Sequence, residues 1–229
     1  MTQEESENRM EWTESVDIYC ERLDPSYWAE PINALTNAAF LFAAAFMAYR
    51  LRDTSLPIAW ALVFVLAGIG VGSFLFHTHA NGWSGLADVG AILLFILLYL
   101  FAASRDYLGL SPLWASASVL AFFPFAALVT PAFSYLPLLG VSASYLSVAL
   151  LIALYGVFLL RKHPATAKGL LIGVAILMVS ITMRSLDQPL CETIPLGTHF
   201  AWHILNAIML GWMIEVYRRH MLARIPTQG

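Results

Sequence analysis

The chain has 229 residues, 59% hydrophobic and 12% charged, with a formal net charge of −3. A soluble domain carries about twice that charged fraction, and a globule of this length cannot bury so much apolar surface, so a water-soluble fold is excluded. No basic block points to nucleic acid, and the two cysteines, Cys20 and Cys191, are too few for a zinc motif or a disulfide scaffold.

Residues 1–31 form an acidic segment without the charged-then-apolar pattern of a signal peptide. From Glu4 to Glu30 it carries nine acidic residues and two arginines. Such a run is usually a solvated tail. Asp17, Glu21, Asp24 and Glu30, however, crowd around Cys20 just before the first apolar stretch. Oxygen ligands this dense could hold calcium, although they do not match an EF-hand loop.

Seven apolar stretches follow, near 32–50, 57–77, 87–103, 112–130, 135–160, 168–186 and 197–217. Each approaches the roughly 20 residues that cross a bilayer as a helix. Pro124, Pro131 and Pro137 blur the start of the fifth. No barrel alternation is present, and open sheets cannot span lipid. The predicted fold class is an all-α membrane protein, a seven-transmembrane helix bundle over 32–217, followed by a short tail, 218–229.

Lysine and arginine orient it. Arg50, Arg52, Arg105, Arg161, Lys162 and Lys168 fall in or beside connections one, three and five, and Arg218, Arg219 and Arg224 near the C-terminus. The positive-inside rule places these in the cytoplasm and the N-terminus outside it. Cys20 and Cys191 then share the oxidising side, where a disulfide and two separate thiols both remain open.

Ionisable residues within spans are costly and usually functional. His77 ends the second predicted helix and Asp88 begins the third, with Thr78 to Ala87 as the connection. His199 and His203 lie at the start of the seventh, on one face by their i, i+4 spacing. All four belong to the outer layer. Three imidazoles with an open fourth position suit a catalytic zinc, and a carboxylate beside them can carry protons. His79 could replace His77, and Asp88 could simply cap its helix. His163 and His220 read as cytoplasmic surface residues. Arg184 and Asp187, at i, i+3, read as an ion pair. A transporter would need repeats or paired broken helices, which are not evident.

Gly72-Ser73-Phe74-Leu75-Phe76-His77, Asp88 eleven residues later, His199-Phe-Ala-Trp-His203, the preceding Asp187 and Cys191, and Tyr19-Cys20-Glu21 with Ala29-Glu30, Asn33 and Asn37 together resemble the alkaline ceramidases. These belong to a larger group of seven-helix membrane hydrolases that includes the adiponectin receptors. The resemblance runs from about residue 16 to residue 217. It implies a zinc-dependent intramembrane amidase that cleaves ceramide, a membrane lipid, to a sphingoid base and a fatty acid. His77, His199 and His203 would bind zinc, Asp88 would move protons, and Ser73 would orient water or stabilise an oxyanion. Cys20 and Cys191 would form a disulfide, and Glu21 and Glu30 would belong to a calcium site. The family's aspartate before Cys-Glu is displaced here, leaving Asp17 or the Ile18 carbonyl, and its downstream ligand falls at Leu23, leaving Asp24. Alternatives are a hydrolase of another lipid amide or ester, or a receptor with a structural zinc.

Overall fold

The computed structural model describes residues 12–224. The acidic residues before position 12 and the end of the tail, 225–229, lie outside the described residues. Seven helices are long and apolar enough to cross a membrane: Pro31–Leu51, Pro57–His79, Gly82–Tyr107, Pro112–Ser134, Leu139–Leu159, Pro164–Leu186 and His199–Leu222. No strand occurs among the described residues.

Local chemistry sets the boundaries. Pro31, Pro57, Pro112 and Pro164 each open a span, where the missing N–H costs nothing. The fourth span continues through Pro124 and Pro131 to Ser134, beyond its expected end. The fifth therefore starts later, through a short 3-10 turn at Leu139–Ser142.

The largest departure from expectation lies between the second and third spans. The link is only Ala80 and Asn81, not Thr78 to Ala87. Ala80 takes a left-handed conformation (φ 42°) and its N–H reaches the Phe76 carbonyl, a helix-ending geometry. Asn81 and Ser84 then form a reciprocal capping box that starts the third span at once. Asp88 accordingly lies inside the third span rather than capping it. The two helices approach closely: a Cβ at Gly72 would meet the Ala87 carbonyl oxygen at 2.7 Å and the Asp88 Cα at 3.3 Å.

The seventh span is the most enclosed of the seven, and most of its residues meet other helices. His220, expected at the surface, is buried. Its ring meets the Thr166 hydroxyl at 2.8 Å and the Asp106 carbonyl at 3.1 Å. The π-helical turn Ala103–Tyr107 presents Asp106 there, where it accepts from Tyr217 and from Arg105.

Candidate functional site

His77, His199 and His203 meet at one end of the bundle and are buried to 2% exposure or less. One nitrogen from each ring lies within 4.8 Å of the others. This is the one such group of histidine, cysteine or acidic side chains among the described residues. His79 is not part of it; it is exposed, against Tyr27 and Trp83.

Hydrogen bonds at the far side of two rings orient them. Glu30 Oε2 lies 2.6 Å from His77 Nδ1, so the carboxylate accepts from that nitrogen and turns Nε2 toward the other histidines. Thr36 Oγ1 lies 3.0 Å from His203 Nδ1. The Thr36 hydroxyl has one hydrogen and two carbonyl acceptors within reach, those of Ile32 and Asn33, which places it to accept from His203. His77 Nε2, His199 Nδ1 and His203 Nε2 are all buried without a partner. Buried nitrogens are rarely left so. Three inward imidazole lone pairs, two oriented by outer-shell acceptors, are a donor set that fits zinc.

Tyr19 stacks on His199, ring centroids 3.7 Å apart, and burial holds its phenol well above the usual range. Asp187 anchors the start of the seventh span. Its Oδ1 accepts from the N–H groups of Thr198 (2.7 Å) and His199 (2.9 Å), and its Oδ2 from that of Cys20 (3.0 Å). The expected ion pair with Arg184 does not form: Arg184 donates to the Val141 carbonyl and the Ser142 hydroxyl. Gly197, at φ 68°, leaves room for this arrangement, since a Cβ there would collide with the Asp187 carboxylate. Cys20 and Cys191 are joined in a disulfide, Cα atoms 5.4 Å apart, which ties the N-terminal segment to the sixth connection.

Ser73 lies one turn before His77 and faces Asp88. The Asp88 Oδ1 is buried without a partner, and His77 is within its electrostatic reach. The helix contact at Gly72 brings the serine and aspartate to the histidines. Below them, an apolar cavity runs between the third, fifth, sixth and seventh spans. Phe95, Val148, Leu177 and Met209 line it. It begins one turn beneath the site, at Ile92 and Asn206.

The four carboxylates considered for calcium do not converge. Asp17 is exposed. Glu21 accepts from the N–H groups of Ile32 (2.6 Å) and Asn33 (2.8 Å) and caps the first span. Burial still raises its carboxyl, with those N–H groups opposing. Asp24 accepts from Ser26 N–H at 2.7 Å, and its bonds to Ser26 hold its carboxyl low. Glu30 is committed to His77 and to Arg22, whose Nε lies 2.6 Å from Oε1. Burial raises the Glu30 carboxyl, but His77 and Arg22 together hold it below the ordinary value. The buried Arg22 guanidinium also donates to the carbonyls of Asp24, Ser26 and His77. Arg22 thus already satisfies one Glu30 oxygen and three neighbouring carbonyls, and the four carboxylates form no common cation-binding group among the described residues.

The sequence had marked Glu30 as a calcium ligand and missed it as the partner of His77. An acid immediately before the first span, at the level of His77, is the available signal. Thr36, Tyr19 as a stacking ring and Asp187 as an N–H acceptor gave no such signal, because their partners come from distant parts of the chain.

A family model described as Ceramidase matches residues 13–224. The chain belongs to the ceramidase family. No individually curated protein matches it. Membership in this family implies a hydrolase acting on amides.

Proposed function

We propose that this ceramidase-family protein is a zinc-dependent intramembrane amidase that hydrolyses ceramide to a sphingoid base and a fatty acid. The observation that carries the reading is three buried, inward-facing, unpartnered imidazole nitrogens beside a buried, unpartnered carboxylate oxygen of Asp88. His77, His199 and His203 would hold the ion. Zinc, when bound, supplies a Lewis acid that polarises an amide carbonyl and acidifies water.

The protein's own groups do the rest. Asp88 Oδ1 accepts a proton from water and returns it to the leaving nitrogen. Ser73 orients the water or donates to a developing oxyanion. Tyr19, stacked on His199, and the disulfide-held N-terminal segment limit solvent access. The apolar cavity beneath Asp88 accepts a hydrocarbon chain, which directs the polar amide toward the histidines.

The proposed orientation places the N-terminus and the site outside the cytoplasm. It rests on Arg50, Arg52, Arg105, Arg161, Lys162, Lys168, Arg218, Arg219 and Arg224 at the opposite end of the bundle, against Arg22 and Arg184 beside the histidine end.

Metal analysis of purified protein, with His199→Ala as control, joined to ceramide turnover, tests this. One zinc per chain, lost in the variant together with fatty-acid release, is expected. Release from an ester lipid but not from ceramide would overturn the substrate assignment, and activity without metal would overturn the mechanism.

A further inference from the structure

At the end of the bundle opposite the three histidines, a pocket forms between the start of the sixth span and the last turns of the seventh. Lys162, Lys168, Arg219 and Arg224 line it, and no carboxylate does. Lys162 and Lys168 have no hydrogen-bond or ion-pair partner among the described residues. Arg224 donates to the Asp106 carbonyl and has no ion pair among the described residues, the Asp106 carboxylate being held by Arg105. Arg219 shares Glu215 with Arg50 and Arg218, so one carboxylate meets three guanidinium groups. The first turn of the sixth span has no side-chain cap and adds partial positive charge.

This cationic cup opens onto apolar surface. Ile172, Trp212 and Arg219 line both the cup and a second groove between the first, sixth and seventh spans. Gly211 and Ala43 line that groove, and a Cβ at Gly211 would make ordinary contact with the Ala43 Cβ at 3.6 Å. Exposed Phe46, Ile172 and Ile208 form its sides. The Trp212 indole donates to the Gly169 carbonyl at 2.8 Å, which holds its ring where cup and groove meet.

We propose that this continuous surface binds one anionic membrane phospholipid, its phosphate at Lys162 and Lys168 and an acyl chain in the groove. Basic pockets between helices at a membrane face take such headgroups. A free phosphate makes no use of the groove. A zwitterionic lipid brings a cation to a cup that has no carboxylate to receive it. A second copy of the chain docked face to face would set like charges against each other. The site lies at the far end of the bundle from His77, so it stands or falls independently of the hydrolase reading.

The test is native mass spectrometry of the full chain released from micelles that contain equal amounts of phosphatidylglycerol and phosphatidylcholine. Preferential retention of phosphatidylglycerol is expected. The exposed-residue variant Lys162→Gln/Lys168→Gln should lower that retention about tenfold or more, given roughly 1 kcal/mol for each lysine near an anionic surface. Phosphatidylcholine retention and ceramide turnover in micelles should be unchanged. Equal retention of the two lipids by the wild type, or an unaltered preference in the variant, overturns the proposal. Displacement of the lipid by equimolar inorganic phosphate would assign the cup to a free anion instead. A dimer that forms without lipid and excludes it would assign the groove to a second copy.

Discussion

Glu30 holds His77 by one carboxylate oxygen, Oε2 to Nδ1 at 2.6 Å, while its other oxygen is held by Arg22 at 2.6 Å. The carboxylate therefore transmits the position of the N-terminal segment to a histidine of the proposed metal site. A carboxylate behind a metal-binding imidazole fixes the ring and raises its basicity.

Glu30→Gln keeps the shape and removes the charge. Zinc affinity, measured by competition with a chelating dye, should fall by about 10- to 100-fold. Wild-type affinity in the variant would remove Glu30 from the site's supporting shell.

The same residue predicts an acid limit. The folded Glu30 carboxyl lies below its ordinary value of 4.5, through His77 and Arg22 acting against burial. The unfolded chain therefore binds the proton first as pH falls. The contribution of Glu30 is complete above about pH 4.5 and is lost as pH drops through the lower, folded value. Thermal melts between pH 6 and pH 3 should decline more steeply for the wild type than for Glu30→Gln. Parallel curves would contradict this.

Arg22 stands among oxygens that would otherwise need a cation. Arg22→Met leaves the buried Glu30 carboxylate without its guanidinium and should destabilise by about 3–5 kcal/mol. A calcium-selective chelator should leave the melting temperature of the wild type unchanged. A fall on chelation, restored by added calcium, would mean that Arg22 does not fill this role.

Asp88→Asn separates binding from chemistry. Zinc content should be retained, because Asp88 is outside the three-histidine group. Turnover of ceramide should drop by about 10²- to 10⁴-fold, the usual range for one proton-transfer group. Full activity in this variant would leave Asp88 with no part in catalysis.

Val148 lines the apolar cavity. Val148→Trp should narrow it and raise KM for long-chain ceramides more than for short-chain ones. An equal change for both chain lengths would place the hydrocarbon elsewhere.

Much of this was legible in the residues alone. Seven apolar runs, each near the length of a bilayer crossing, dictate a helical bundle, because lipid offers the backbone no hydrogen-bond partner. The i, i+4 spacing of His199 and His203 sets them on one helix face, and alternation of the spans brings His77 to the same end. What only the tertiary structure decided is the use of the acidic segment. Composition made Glu21, Asp24 and Glu30 equivalent oxygen donors, yet each has a different partner: the N–H groups of the first span, Ser26, and the Arg22–His77 pair. Asp187 likewise turned from Arg184 to three backbone N–H groups. Spans are written in local hydropathy. The partner of a buried charge is chosen by which distant groups reach it once water is gone, and no local pattern carries that choice.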